Sequence, residues 1–204
     1  MKQSERIYGN PPGIGCSVSR MDAKTKVTGQ EVYAADHYPN GCLWAGVKRS
    51  SQTHARLIEV DLEVARQLPG VVAVLTSQDI EGSNRLGIFE KDQPILAEDI
   101  VRYCGEAIAL VVAESKDALE QALKAIRIEY EKLEAVLDLH LALQPESPVL
   151  HSGRADGNVL LRDEICCGRG AAALSECAFS VDVSVEVNWQ DHAFLETEAG
   201  MAQV

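Results

Sequence analysis

Residues 101–113 of the chain, Val-Arg-Tyr-Cys-Gly-Glu-Ala-Ile-Ala-Leu-Val-Val-Ala, decide the fold. Their second half, residues 107–113, is a continuous apolar run of strand length rich in Ile and Val, which predicts a strand buried on both faces. Gly105 permits a backbone conformation or a close approach that a side chain would prevent. Glu106 could cap the strand, pair with Arg102 or point towards a partner. Cys104 is expected to be a small, buried core residue.

The chain contains two predicted strand–helix–strand units, and the second includes residues 107–113. The first comprises strands over 55–61 and 71–75 with a short helix over 62–68 between them, and it is preceded by a strand predicted over 43–50. The second comprises the 107–113 strand, a helix over 116–124 that begins after Ser115 as N-cap, and a strand over 126–130. Two such units predict an α+β fold in which helices pack on a mixed sheet. The polar stretch 81–99 is predicted to be a long, partner-facing or functional loop.

The last third of the chain has a different pattern. Residues 138–144 are predicted to form a short helix, and a connection rich in Pro and Gly follows. From Phe179 to Trp189 apolar and polar residues alternate, which predicts a long strand with one apolar face at the start of a second structural unit. Residues 200–204 resemble the start of another strand, so the sequence is expected to be truncated there.

Composition and charge narrow the classes of function. The 204 residues carry a formal net charge of -12, and residues 51–204 alone hold 12 Lys and Arg against 27 Asp and Glu. A body this acidic repels phosphate backbones, so nucleic acid is excluded as an expected partner. There is no apolar run of the roughly 20 residues that a membrane helix needs, and no secretory signal is visible. These features predict a cytoplasmic protein that does not bind a membrane.

The chemistry-bearing residues do not form a recognisable catalytic set. Six cysteines, at 16, 42, 104, 166, 167 and 177, include no C-x-x-C pair and fit no common zinc or iron–sulfur spacing, so no metal site is predicted. His54, between two strands, is expected to be a packed or hydrogen-bonded structural residue. His192 lies beside Asp191 and four residues before Glu196, which would suit acid–base work, but local structural roles are preferred because no nucleophile accompanies them.

The order and spacing of short motifs resemble the molybdenum-binding (large) subunit of the xanthine dehydrogenase/aldehyde oxidase family. By this resemblance, residues 1–19 are an irregular leader, 20–145 an α/β hammerhead domain, 146–175 a linker and 176–204 the beginning of the molybdopterin-binding domain. The motifs that carry it are Arg20-Met21-Asp22, Lys26-Val27-Thr28-Gly29, Tyr33, Asp36, His54-Ala55, Asp61, Pro69-Gly70-Val71, Thr76, Asp79, Pro94-Ile95-Leu96-Ala97, Tyr103-Cys104-Gly105-Glu106, Tyr130-Glu131, Asp138 and residues 190–200.

The resemblance implies hydroxylation of an aldehyde or an N-heterocycle. In the family, molybdenum on a pterin dithiolene inserts an oxygen derived from water and takes two electrons, which pass through iron–sulfur centres to FAD or another acceptor. The implied partners are the remainder of the molybdenum subunit and the iron–sulfur and flavin subunits or domains. The family's glycine-rich cofactor loop and catalytic glutamate would lie beyond Val204, so no catalytic residue is assigned. Gln190 and Glu196 are the candidates for lying near the cofactor pocket.

This resemblance implies a structural and partner-contacting role for the 204 residues, which alone would be inactive. Two alternatives are open. The chain could be a non-enzymatic assembly or interaction module of hammerhead fold, whose acidic body and 81–99 loop contact a protein partner. It could also be a thiol-based redox protein that uses Cys166-Cys167 or Cys104, which would require a thiol with a depressed pKa.

Overall fold

The computed structural model describes residues 19–188, 190–191 and 199–202. The chain divides into a larger unit, Gly41–Ser184, and a smaller one that combines residues 1–40 with 185–204. The described part of the smaller unit contains one helix, α1 (Ala23–Val27), and a 3-10 turn over Ala34–Asp36. The ion pair between Asp22 and Lys26, at 3.3 Å, links the first and last turns of α1.

The larger unit holds the strands and the remaining helices. Its described residues form eight strands: β1 Trp44–Arg49, β2 Ala55–Asp61, β3 Val71–Leu75, β4 Arg85–Leu86, β5 Gln93–Pro94, β6 Ile100–Val101, β7 Ala107–Ala113 and β8 Arg127–Lys132. Its helices are α2 Glu63–Arg66, α3 Lys116–Ala125, α4 Leu139–Ala142 and α5 Gly170–Leu174. The α+β class is confirmed, and the expected strands and helices up to residue 144 lie where the sequence predicted them, within a few residues.

The strands are distributed over two three-stranded sheets and one hairpin. The sheet orders are β1-β7-β3 and β6-β2-β8, with β4 paired to β5, and all of these pairings are antiparallel. The expectation of one mixed sheet is therefore corrected. Both strand–helix–strand units cross from one sheet to the other, since β2-α2-β3 and β7-α3-β8 each begin and end in different sheets. Because the two strands of each unit lie in different sheets, they do not have to pair in parallel with each other. The local sequence pattern predicts each strand but not which strands become neighbours.

Strand β7 is the centre of the first sheet, as its apolar run predicted. Ile108, Ala109, Val111 and Ala113 are all at most 1% exposed. Helix α3 covers this sheet with Leu119 and Ala122, which join the same core cluster. The helix begins as expected, because the Ser115 hydroxyl accepts a hydrogen bond from the Ala118 N–H at 3.1 Å.

Three further expectations need correction. The 81–99 stretch is not a plain loop, because it contains the β4–β5 hairpin. Cys104 is exposed rather than buried, since it lies in the turn before β7 instead of in the strand. Residues 179–188 form no regular structure, and Val181, Val183 and Val185 are each at least 75% exposed. An alternating pattern makes a stable strand only when neighbouring strands pair with it, and within the described residues none does.

The predicted strand start at 200–204 also has no strand structure over its described residues, and residues 203–204 lie outside them. Among the residues described, no helix combines the length and apolar character that crossing a membrane requires.

Candidate functional site

The larger unit contains a cleft of about 570 Å³ between three segments. The turn that joins β4 to β5 forms one wall, the 102–106 turn that leads into β7 forms the second, and the connection after α4 forms the third. The lining residues are Gly87, Ile88, Phe89, Glu90, Asp92, Gln93, Arg102, Tyr103, Glu106, His151, Arg154 and Leu160. The cleft thus combines two arginines and three carboxylates with large apolar side chains.

The second wall is organised by a buried carboxylate. Glu106 is 2% exposed, and its Oε2 accepts a hydrogen bond from the backbone N–H of Arg102. Its Oε1 lies 3.5 Å from Nη1 of Arg102 and has no hydrogen-bond partner among the described residues. Gly105 makes the tight return possible because its φ is +97°, a conformation that L side chains rarely adopt. Of the three roles open to Glu106, the structure supports the ion pair with Arg102.

Arg102 also joins the second wall to the third. Its Nε donates to the carbonyl of Leu150 at 2.9 Å, and its Nη1 donates to the carbonyl of Ile100 at 3.1 Å. The guanidinium therefore has partners on three sides, since Glu106 is the third. This contact explains how a residue of the 102–106 turn holds a segment 48 positions later in the chain.

A second ionic group joins the first wall to the third. The Arg154 Nε donates to Oδ2 of Asp92, and His151 Nδ1 lies 3.4 Å from the same oxygen and 3.3 Å from the Asp92 carbonyl. The hydrogen bond from Arg154 lowers the pKa of Asp92 below its usual value, although burial opposes this effect. Burial lowers the pKa of His151, and this effect outweighs the opposing attraction of Asp92. A lowered pKa favours the neutral imidazole at pH 7, and the contact of its Nδ1 with the Asp92 carbonyl is a hydrogen bond.

The β4–β5 hairpin is fixed at its base by a buried amide. Asn84 is 9% exposed; its Oδ1 accepts from the N–H groups of Ile95 and Leu96, and its Nδ2 donates to the Leu96 carbonyl and to Glu98. Arg85 adds two hydrogen bonds of 2.7 Å to the Glu98 carboxylate. These donors lower the pKa of Glu98 from 4.5 to about 2, with the Arg85 hydrogen bond as the largest cause. The hairpin base is thus rigidly connected to the segment before β6.

At the mouth of the cleft, the hairpin presents apolar side chains to solvent. Ile88 is 95% exposed and Phe89 is 65% exposed, and Tyr103 and Leu160 are each about half exposed. Gly87, at the start of the turn, has a φ of +151°, and a Cβ there would lie 1.7 Å from the Glu90 carbonyl oxygen. The turn therefore requires glycine at position 87 to project Ile88 and Phe89.

Of the individual residues named in the sequence analysis, Arg102, Tyr103 and Glu106 line this cleft, and part of the 81–99 stretch does so as well. The remaining candidates among the described residues do not. Gln190 is exposed and lies in irregular structure, while His192 and Glu196 are outside the described residues. His54 has the expected structural role, since its Nδ1 contacts the Glu134 carbonyl. The thiol of Cys166 donates to Glu164, and no group of three metal-ligating side chains occurs in the described ranges.

Sequence reasoning missed Asp92, His151 and Arg154. Asp92 lies 59 positions before His151 and 62 positions before Arg154. No local signal marks them. Only the predicted partner-facing role of the 81–99 stretch pointed to their vicinity.

The cleft does not have the donors that a molybdopterin would require. A site for such a group needs unpaired donors that converge on its phosphate and pterin atoms. In the cleft, the Arg102 guanidinium is bound to Glu106 and to two carbonyls, and Arg154 is bound to Asp92. The single unsatisfied buried side-chain atom of the described residues is an acceptor, Glu106 Oε1. The described residues therefore do not fit the group, and no chemical step through it is derived for them.

Comparison with known proteins shows which protein family this chain resembles. The family model of the a/b hammerhead domain of aldehyde oxidase and xanthine dehydrogenase matches residues 28–134. The solved structure of reconstituted CO dehydrogenase from Oligotropha carboxidovorans superimposes with a TM-score of 0.61 at 31% identity, covering 67% of this chain and 17% of that chain. Aldehyde oxidoreductase from Desulfovibrio gigas gives 0.60 at 30% identity, covering 66% and 16%.

Curated relatives extend the similarity beyond the hammerhead region. The nicotinate dehydrogenase large molybdopterin subunit of Eubacterium barkeri is 39% identical over 93% of this chain and 44% of the relative. A probable xanthine dehydrogenase subunit of Bacillus subtilis is also 39% identical, over 90% of this chain and 24% of the relative. The chain belongs to the aldehyde oxidase and xanthine dehydrogenase family and contains its hammerhead domain. It spans less than half the length of these two relatives.

Proposed function

We propose that this chain is the N-terminal part of the molybdenum-binding subunit of a hydroxylase that acts on an aldehyde or an N-heterocycle. The observation that carries the proposal is the similarity to a large molybdopterin subunit over 93% of the chain. The overall reaction would add an oxygen from water to a carbon of the substrate and remove two electrons and two protons. Within this enzyme, the 204 residues have a structural and partner-contacting role.

The site also indicates which role each part of the chain has. In the cleft, Arg102 is bound to Glu106 and Arg154 to Asp92. These pairs fix the positions of the hairpin and of the connection after α4, and the part described contains no set of groups for catalysis. We assign the hammerhead domain to residues 20–145 and the start of the molybdopterin-binding part to residues 176–204, after an irregular leader over 1–19 and a linker over 146–175. Gln190 and Glu196 are proposed to approach the cofactor from this second part.

The molybdenum–molybdopterin cofactor would be bound by the remainder of the subunit. Iron–sulfur centres and FAD would be held by partner domains or subunits and would carry the two electrons away. The proposed location of the assembly is the cytoplasm.

The test is expression of the complete locus that encodes this chain, together with the neighbouring redox subunits. Purified protein is analysed for molybdenum by mass spectrometry of the metal, and turnover is followed with an artificial electron acceptor on nicotinate, xanthine and a panel of aldehydes. We expect stoichiometric molybdenum and turnover of at least one substrate class. The 204-residue chain purified alone is the control, and we expect it to fold without molybdenum.

A complete locus product that contains no molybdenum and oxidises none of these substrates would refute the enzyme assignment. The alternative of a non-enzymatic hammerhead module would then become the leading one. Its observable would be a stable complex with a protein partner formed by the 204-residue chain itself.

A further inference from the structure

A second cleft lies beside the first one in the larger unit. This neighbouring cleft, of about 380 Å³, is lined by Val136, Leu137, Asp138, Leu139, Ala142, Leu150, His151, Arg154 and Asn158. His151 and Arg154 line both clefts, so the two are neighbours on the surface of this unit. We call the two sets of lining residues together the docking groove.

Large apolar side chains line both clefts of the docking groove and remain exposed to solvent. Their exposed fractions are 95% for Ile88, 65% for Phe89, 47% for Tyr103, 48% for Leu160, 80% for Leu137 and 74% for Leu139. Contiguous exposed apolar surface rimmed by polar groups is typical of a protein-binding site. Aromatic side chains such as Phe89 and Tyr103 are also the type that contributes most to protein interfaces.

The docking groove is held rigid before any partner binds. Asn84 and the Arg85–Glu98 pair fix the hairpin base, and Asp92 connects the hairpin to Arg154. A preorganised surface loses little conformational freedom on association, which favours binding. The exposed apolar side chains are therefore presented by a braced scaffold.

The charge of the docking groove selects among occupants. Its lining contains four carboxylates, on Glu90, Asp92, Glu106 and Asp138, against the guanidiniums of Arg102 and Arg154, while His151 is neutral at pH 7. The groove is therefore net negative on a chain of net charge -12. Electrostatic repulsion disfavours a second copy of this chain, and complementarity favours a segment with positive charge.

We propose that the docking groove binds a segment of the molybdenum subunit that lies outside these 204 residues and carries large apolar side chains with at least one Lys or Arg. This inference rests on the proposed function. The chain spans 44% of the E. barkeri relative, so in a subunit of that kind more than half of the polypeptide is available to supply the segment. A segment of the same polypeptide is present at a high effective concentration, which favours it over a separate protein of equal intrinsic affinity.

Photo-cross-linking in the complete enzyme tests this proposal. Phe89 is replaced with the photoreactive p-benzoylphenylalanine in the complete subunit, which is produced with its redox partners and irradiated. The cross-linked peptides are then identified by mass spectrometry. Val72, 54% exposed and outside the docking groove, is substituted in the same way as the control position.

We expect position 89 to cross-link to one peptide of the molybdenum subunit beyond residue 204 that contains apolar residues and a Lys or Arg, and position 72 not to cross-link to it. Charge variants refine the result. Glu90→Lys should lower the yield of this cross-link about threefold or more, since it places a positive charge in the groove. The neighbouring Lys91→Glu, which does not line the groove, should leave the yield unchanged or raise it.

A cross-link to a second copy of this chain, to an iron–sulfur or flavin subunit, or to no protein would overturn the proposal. So would a yield that is insensitive to Glu90→Lys. Molybdenum content and turnover are measured on the same preparation without irradiation. An active, molybdenum-loaded enzyme with the wrong cross-link refutes the docking inference alone, whereas an inactive, molybdenum-free protein refutes the proposed function.

Discussion

Replacement of Glu106 measures how strongly the Arg102–Glu106 pair stabilises the turn before β7. In Glu106→Ala, the backbone N–H of Arg102 loses its acceptor and the guanidinium loses its buried carboxylate. Removal of one partner of a buried pair typically costs about 3–5 kcal/mol. Arg102 is 17% exposed and still donates to two backbone carbonyls, so we expect a smaller loss, about 2–3 kcal/mol of unfolding free energy.

Glu106→Gln is the matched control for this substitution. The amide oxygen can still accept the Arg102 N–H, so the backbone hydrogen bond of the turn is retained. The charge is lost, and the amide nitrogen takes a position where Oε1 accepts no hydrogen bond. We expect a loss of about 1 kcal/mol, which is the usual difference between a charged and a neutral acceptor.

The assay is urea unfolding of the 204-residue chain followed by far-ultraviolet circular dichroism. For a chain of this size, 1 kcal/mol corresponds to roughly 2–4 °C in Tm, so thermal scans should show a drop of about 4–12 °C for alanine and about 2–4 °C for glutamine. If alanine costs less than about 1 kcal/mol, or if glutamine costs nothing measurable, the ion pair does not hold the turn.

Three further predictions, the first with a matched control substitution, test the core and the ionic contacts. Ile108→Ala removes a side chain that is 1% exposed and should cost about 2–5 kcal/mol in urea unfolding, whereas the matched Ile58→Ala, at a position 54% exposed, should change stability by less than about 0.5 kcal/mol. Because burial lowers the pKa of His151, the unfolded state binds more protons than the folded state as this group titrates, and the unfolding free energy should fall as the pH drops below about 7. His151→Gln should remove this part of the slope. Glu98 has a pKa of about 2 in the folded state, so its contact with Arg85 stabilises the fold fully above pH 4.5 and is lost as the pH falls towards 2. Both side chains are more than a third exposed, which limits the strength of the contact. Glu98→Gln should therefore lower the unfolding free energy by about 1 kcal/mol or less at pH 7 and leave it unchanged at pH 2.

The elements of the fold were predictable wherever one segment specifies its own structure. The apolar run at 107–113 is sufficient to predict a buried strand, and β7 has those bounds. Ser115 followed by an amphipathic stretch is sufficient to predict the start of α3. Both signals depend on side-chain periodicity and on a cap within one turn, which are local properties.

Pairing between strands was not predictable in the same way. The alternation over residues 179–188 satisfies the pattern of a half-buried strand, but a strand also needs a partner, and within the described residues it has none. Cys104 was misplaced for a related reason. A preference of cysteine for buried positions does not show whether a residue lies in a strand or in the turn that precedes it.

The candidate site was the least predictable part, because its contacts join distant positions. The bond between Asp92 and Arg154 spans 62 positions, and that between Arg102 and Leu150 spans 48. Residues this far apart in the sequence show no spacing pattern from which their contact could be predicted. By contrast, Arg102 and Glu106 are four residues apart, and this pair was anticipated as one of three alternatives.

The balance between paired and unpaired groups in the docking groove explains how such a surface can recognise a partner without acting on one. Asp92 is bound to Arg154, and Arg102 is bound to the Leu150 carbonyl in the segment that carries Arg154. These charged groups therefore hold the walls in place and are only partly available to an incoming group. The side chains that remain exposed are apolar, Ile88 and Phe89 above all. Binding to this surface would therefore draw its free energy from apolar burial and its selectivity from the residual negative charge. The ionic clusters position the walls, and the exposed apolar side chains between them make the contact.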